Sequence, residues 1–357
     1  MKSSIENLQL LLPDGTDAAL ITSPENRFYF TGFKSSSGYL LVTKNSASFI
    51  TDSRYIEAAR KSVTAADVYL QGNIKKQLSG LLADENIKSV GFEASRVTVS
   101  DSVKYKEWFP GISCEFSGET DTIIKNMRMR KSDFELEKLR KAQRITDSAF
   151  SHIKAMGVTG KSEREIALEL EFFMKKNGAD DIAFPIIALA GSNTSLPHGV
   201  PSDKKVQTGD FLLLDFGCVT DGYHSDMTRT AAVGKINNRQ REIYDIVLNA
   251  QIKAIEAIKP GVKCSEIDGI ARKIIGMAGY EENFGHGLGH GVGLEIHEHP
   301  NFSPNCDTIL EPGMVISVEP GIYLPDEFGV RIEDLAAVTE KGCEILTKSQ
   351  KSLEIIR

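Results

Sequence analysis

Short apolar runs alternate with helical patterns through the first 120 or so residues, which is the signature of an α/β layer. Ala18 to Thr22 reads as a strand, and Gly38 to Thr43 with Ala47 to Thr51 reads as a hairpin closed by Lys44, Asn45 and Ser46. Helices are expected from about Ser53, from Ile74 to Glu85 and from Val99 to Phe109, where Pro110 stops the last. Asp67 to Leu70 and Lys88 to Phe92 supply two more strands. Asp52, Arg54 and Tyr55 cluster at a strand-to-helix corner, where an aspartate is expected to cap the helix.

A boundary is expected from Ile124 to Ser132, where Lys125, Arg128, Arg130 and Lys131 form a charge run read as solvated. The domains are accordingly 1–124 and 132–357. Two capping boxes follow. Ser132 with Glu135 opens a helix carrying Leu136, Leu139, Ile145, Ala149 and Ile153, and Ser162 with Glu165 opens one carrying Ile166, Leu170, Phe173 and Met174, stopped at Asn177-Gly178. Helical pattern returns over Asn238–Lys259 and Ser265–Ala278, enough to cover one face of a sheet.

A length of 357 residues suggests two domains, and 41% apolar with 25% charged residues is ordinary for a globular chain. No signal peptide is expected from the short, interrupted apolar run at the N-terminus, and no membrane-spanning stretch is expected. Five scattered cysteines without a C-x-x-C pair fit reduced thiols, so a cytoplasmic location is expected. A net charge of -7 argues against a nucleic-acid partner.

Chemistry enters with Gly285 to Pro300, GHGLGHGVGLEIHEHP, which holds four of the seven histidines and five glycines. Buried imidazoles need partners, and a metal or a reacting substrate supplies them. Asp215 is the one charge in the apolar strand Phe211 to Cys218, and a buried carboxylate needs a cation. Asp221-Gly222 is a two-residue hairpin signal before the strand Tyr223 to Val233. With that loop Thr220 pairs with Tyr223, Asp215 lies opposite Thr228, and Asp226 falls two residues along on the same face. A three-residue loop would place the two acids on opposite faces. Glu319 ends the strand Met314 to Pro320, and Glu333 lies in Val330 to Val338 with Arg331 on its own face, where a structural ion pair is the simple reading. Two aspartates, two glutamates and one histidine suit two divalent ions such as Mn, Co or Zn. His198 in Leu196-Pro197-His198-Gly199 gains weight only from this company. His297-Glu298 fails as an H-E-x-x-H helix because Pro300 and Asn301 follow, and no G-x-G-x-x-G frame fits the glycines. His224 and His299 carry no assigned role.

Residues from Ser132 onward resemble the pita-bread metallopeptidases, the family of prolidase, aminopeptidase P and methionine aminopeptidase. The resemblance rests on LPHGVPS, DFGCVTDGYHSDMTRT, GHGLGHGVGLEIHEHP, EPGMVISVEPGIY and GVRIEDLAAVT, in the family's order. It implies Asp215, Asp226, His290, Glu319 and Glu333 as metal ligands, with Asp226 and Glu333 bridging two ions. It further implies His198 and His297 as catalytic histidines, Glu319 as proton shuttle, and His286 and Arg331 in the substrate pocket. NRFYFTGF and TDSRY resemble the smaller N-terminal domain of the proline-directed members, which methionine aminopeptidases lack. The implied fold is a two-domain α/β protein: a creatinase/prolidase N-terminal-like α/β domain, then a pita-bread α+β catalytic domain whose curved, mainly antiparallel sheet is covered by helices. The implied activity is hydrolysis of Xaa-Pro bonds in dipeptides or short peptides by a hydroxide bridging two divalent metals, Mn first, in a homodimer. Aminopeptidase P activity on Xaa-Pro-Yaa peptides is the alternative, with a non-catalytic binding protein or a creatinase-like hydrolase behind it. Seven residues separate His290 from His297, so a bulge or turn among the glycines must bring both to one site.

Overall fold

The computed structural model describes residues 3–357, and internal contacts divide the chain into Met1–Arg128 and Met129–Arg357. The first unit is a six-stranded mixed sheet in the order Asp67–Leu70, Ala47–Thr51, Tyr39–Thr43, Ala18–Ile21, Ser89–Phe92, Ser113–Glu115. Tyr39–Thr43 runs antiparallel to both neighbours and the remaining pairs are parallel. Helices cover both faces, so successive residues of a strand are buried on opposite sides. Ala19, Ile21, Leu40 and Val42 join one apolar cluster, while Ala18, Leu20 and Leu41 join the other.

Local chemistry adjusts several sequence expectations in this unit. Thr43 N–H donates to Ser46 O at 2.9 Å, so the hairpin turns on Lys44 and Asn45 alone. Asp52 does not cap a helix; the helix is Ile56–Ser62 with Tyr55 at its cap, and the Asp52 carboxylate accepts from Arg54 N–H at 2.9 Å. Helices Ser4–Leu11 and Pro24–Thr31 lie outside the sequence expectation, although Ser3 with Glu6, and Ser23 with Pro24, are ordinary start signals. Ile124 to Met129 continues a helix begun at Glu119. Its charge run is only half solvated, because Arg128 donates to Asn26 Oδ1 at 2.7 Å and Lys131 pairs with Glu298 at 3.0 Å, both cations being buried.

The second unit repeats one arrangement twice, with a helix pair laid on a strand layer. Asp133–Met156 and Glu163–Lys176 both open with the expected capping boxes. They pack through Ala149, Phe150, Ile166 and Leu170 onto Leu212, Leu214, Phe216 and Ala231. Asn238–Ala257 and Cys264–Met277 pack through Val247, Ala250, Ile267 and Ala271 onto Ile316, Val318, Val330 and Ala336. Each fully buried Val, Leu, Ile or Phe among them contributes about 1.5–3 kcal/mol. The expected curved sheet is four short sheets, antiparallel throughout except where Ile355–Ile356 runs parallel to Met227–Val233. Strand residues that face away from the helices are left to build a site. Among the described residues no helix is long and apolar enough to cross a membrane.

The Asp221-Gly222 turn has the expected register: Thr220 pairs with Tyr223 and Asp215 with Thr228. Both turn residues have positive φ, 51° and 84°, as a type I′ turn requires. Continuing this register puts Gly217 opposite Asp226, and there the chains approach so closely that a Cβ on Gly217 would lie 1.9 Å from Ser225 O. Gly217→Ala is therefore expected to cost about 1–3 kcal/mol. Gly269→Ala, on an exposed helix surface with nothing within 4 Å, is expected to gain about 0.5–1 kcal/mol. Thermal unfolding of the two variants checks the contrast, and equal shifts would contradict it.

Candidate metal centre

Strand alternation sorts Asp215 from its neighbours. Leu212, Leu214 and Phe216 turn to the helices, so Leu213 and Asp215 turn the other way. Asp226 precedes Met227–Val233, and Thr228, opposite Asp215, shares its face. Glu319 follows Val315–Val318 and is fixed by its N–H donating to Leu288 O at 2.8 Å. Glu333 lies in the crossing from Phe328–Arg331 to Asp334–Val338, with its N–H on Thr228 O at 3.1 Å. His290 is the middle residue of Gly289–Gly291, where a Cβ on Gly289 would meet Ser317 O at 1.9 Å; only glycine permits that approach.

These placements bring acids and imidazole together in a buried site. One ligand atom each from Asp226, His290 and Glu333 lies within 4.8 Å of the others. His290 Nε2 is 3.6 Å from Asp226 Oδ2 and 3.4 Å from Glu319 Oε1. His290 Nδ1 lies 3.1 Å from Gly291 O, which can only accept, so Nδ1 carries the proton and the Nε2 lone pair faces the acids. Burial lowers the His290 pKa, favouring that neutral form. Burial raises the carboxyls of Asp226 and Glu333 well above their ordinary values, and the neighbouring acids push the same way. Glu319 is also raised, chiefly by burial.

Asp215 stands slightly apart, because its Oδ2 accepts from Arg331 Nη2 at 2.5 Å. The expected Arg331–Glu333 pair is thereby corrected. Thr228 Oγ1 sits between them, accepting from Arg331 Nε at 3.1 Å and donating to Glu333 Oε2 at 2.7 Å, and the fork passes on to Asp215. Asp215 Oδ1 and Glu333 Oε1 are buried acceptors without a hydrogen-bond partner. Unpartnered oxygens, raised carboxyls and a free imidazole lone pair all fit divalent cations, which supply the missing positive charge.

Histidines line a cleft of about 640 Å³ beside this centre. Gly289–Gly291 pairs with Glu298–Phe302 through a register shift, so the histidine stretch is a bulged hairpin. The reversal brings His297 back against His290, ring centroids 4.4 Å apart. Burial, and then His290 and His198, lower the His297 pKa. His198 lines the same cleft from the loop after Ala190. His299 is exposed, and His224 is half-buried with its N–H on Gly293 O at 2.9 Å.

Tyr323, Ser317 and Thr228 were not singled out as site residues by the sequence. Arg331 Nη1 donates to Tyr323 Oη at 2.9 Å, so the phenol's own proton goes to His286 Nε2 at 3.0 Å, while His286 Nδ1 contacts Gly287 O at 2.8 Å. His286 is thus held neutral, and burial lowers its pKa. Arg331 also donates to Pro197 O at 3.2 Å, which leaves one Nη2 N–H for anything further. Ser317 takes the His290 N–H and donates to Glu319 Oε1, both at 3.0 Å. Position gave a signal for two of them: Ser317 is two residues before Glu319, and Thr228 is opposite Asp215 in the hairpin register.

Residues 137–340 match the model of metallopeptidase family M24, and residues 6–130 match the creatinase/prolidase N-terminal domain. An Xaa-Pro dipeptidase of Pyrococcus horikoshii is 41% identical, with 97% of each chain covered. The structure of an Xaa-Pro dipeptidase from Bacillus anthracis superposes with TM-score 0.94 at 42% identity over 99% of each chain. That of an X-Pro aminopeptidase from Thermotoga maritima gives 0.90 at 37%, over 96% of this chain and 98% of the other. The two matched segments, the acid-rich centre and the helix-covered strand layers agree: the chain is a pita-bread metallopeptidase and belongs to family M24.

Proposed function

We propose that this peptidase hydrolyses the Xaa-Pro bond of dipeptides, with the chemistry confined to residues 132–357 and with 1–124 as a separate domain. The convergence of Asp226, His290, Glu319 and Glu333, with orphaned oxygens on Asp215 and Glu333, carries the proposal. These five residues would hold two divalent ions, Mn first and Co or Zn as alternatives, because four of the five offer hard oxygen ligands. Bound ions of this kind polarise a carbonyl and lower the pKa of water.

The protein's own groups then divide the work. Glu319, raised by burial and open to the cleft, takes a proton from the attacking water and passes it to the leaving amine. His297 and His198 donate to the oxygen that gains charge as the carbonyl is attacked. Phe184, Pro185, Ile187 and Ile296 give the cleft an apolar wall suited to a proline ring. His286 and Arg331 line the same cleft and act through Tyr323, since most of their hydrogen-bonding groups are already engaged. Aminopeptidase P activity is the second reading, favoured by the likeness to the Thermotoga enzyme. A cytoplasmic homodimer completes the proposal; five free cysteines support the compartment, and the family resemblance supports the dimer.

A paired assay separates the readings: an Xaa-Pro dipeptide should be cleaved faster than an Xaa-Pro-Yaa tripeptide, with Mn and with Co. A faster tripeptide would transfer the assignment to aminopeptidase P. Glu319→Gln should lower kcat by about 10²–10⁴-fold, and unchanged turnover with metal bound would remove its proton-shuttle role.

The raised carboxyls also give a pH prediction. Asp226, Glu319 and Glu333 titrate above their unfolded values of 3.8, 4.5 and 4.5, so the folded state binds more protons and loses stability as pH rises past that range. A bound cation opposes the loss. The Tm gap between Mn-loaded and chelator-stripped protein should therefore widen from about pH 5 to pH 8, whereas a constant gap would contradict it.

A further inference from the structure

Glu163, the first residue of Glu163–Lys176, is fully buried, and nothing in the proposed chemistry uses it. Its carboxylate is nevertheless crowded with donors. Oε1 accepts from Ala190 N–H at 2.7 Å and Asn193 Nδ2 at 3.0 Å, while Oε2 accepts from Ser202 N–H at 2.9 Å and Ser202 Oγ at 2.6 Å. Ala190 and Ser202 are the two ends of the loop that carries His198. One carboxylate therefore ties both ends of this segment, alongside the main-chain bonds from Arg164 N–H to Ser202 O and from Glu163 N–H to Lys204 O, both at 3.1 Å. The flank is tied separately, by Gly329 N–H donating to Thr194 Oγ1 at 2.8 Å and by Arg331 donating to Pro197 O. Packing does little for the tip, because Leu196 is 54% and Val200 82% exposed. Hydrogen bonds, those at the base together with the one on Pro197 O, therefore set where His198 points.

We propose that Glu163 is a positioning residue that places His198 by clamping both ends of the 190–202 loop, an inference that rests on the reading of His198 as a catalytic donor. The Ala190 and Ser202 N–H groups and the Asn193 amide N–H₂ can only donate, so the site needs lone pairs on both oxygens. A glutamine has the same shape but turns an amide N–H₂ toward the donors at one end, and a buried donor facing a donor is not tolerated in place. The side-chain tie at one end is then lost, and only main-chain bonds hold it, Arg164 N–H on Ser202 O at 3.1 Å or the pairing of Ala190 with Leu212.

The experiment is a cycle of Glu163→Gln, His198→Ala and the double variant, each measured for kcat, KM, Tm and hydrogen exchange over residues 190–202. Glu163→Gln is expected to lower kcat about 10- to 100-fold, a loss of the size that misplacing a reacting group by about 1 Å produces, with KM changed far less. In the His198→Ala background the same substitution should change kcat by less than about twofold, while its Tm decrement persists, because the catalytic effect passes through His198 and the structural one does not. Exchange should rise within 190–202. Equal losses of kcat in both backgrounds, or unchanged exchange in the loop, would overturn the proposal. If Glu163→Gln does not accumulate as folded protein, Ser202→Ala, which deletes the Oγ contact to Glu163 and the Lys204 N–H bond to the same oxygen while keeping the Ser202 N–H on Oε2, should show the same pattern with a loss of about threefold, and additivity there would overturn it equally. An enzyme inactive on every Xaa-Pro peptide would defeat the hydrolysis reading instead, and loop exchange would still decide the clamp.

Discussion

Buried negative charge is the constraint on which the second unit depends. Asp226 and Glu333 are withdrawn from water with ligand oxygens within 4.8 Å of each other, Glu319 reaches the same His290 Nε2 at 3.4 Å, and Asp215 joins them through the fork of Arg331. Such a group of carboxylates is costly in a protein interior unless positive charge is brought to it. Arg331 supplies part of the compensation, and burial opposes its charge while Tyr323, Asp215 and Glu319 favour it, with the net effect of holding it firmly protonated. What remains is met by the donors that orient each acid, Thr228 for Glu333 and Ser317 for Glu319, and by the cations that the unpartnered oxygens await.

The scaffold makes this arrangement possible by spending its apolar residues on one side of each strand layer. Two helix pairs cover the outer faces, so hydrophobic burial stabilises the strands without occupying the faces that bear the acids. Close approach does the rest. Gly217 lets its strand meet the one carrying Asp226, and Gly289 lets the one carrying His290 meet Ser317, at separations that a methyl group would prevent. Thr228 is the junction, contacting Arg331 and Glu333 while lying opposite Asp215 in the sheet.

How much of this was legible in the sequence depended on whether the signal was local. The Asp221-Gly222 turn fixed the register of an entire hairpin, because two residues of positive φ leave one way to pair the flanking strands. The capping boxes at Ser132 and Ser162 were equally local and equally readable. Partners set by strand crossings were not. Arg331 chooses Asp215 over Glu333, its neighbour by alternation, because a threonine from another strand intervenes. Tyr323 lies inside a recognisable motif, yet its place between His286 and Arg331 depends on a strand pairing that periodicity cannot reveal. The histidine stretch required a turn or bulge, and the structure has both, a reversal closed by a shifted register. In the first unit, Ser4–Leu11 is short and weakly periodic, so its capping box has too short an apolar stripe behind it to mark a helix.

A site for two divalent cations, in place of a salt-bridge network, is what these acids are proposed to form. Elemental analysis of protein purified without chelator, beside an Asp226→Asn variant prepared in the same way, tests it most directly. Close to two divalent ions per chain are expected in the native protein and a clear loss in the variant, because Asp226 lies at the meeting point of His290 and Glu333. A native protein that binds no divalent metal when Mn is added, or a variant that retains the full complement, would contradict it.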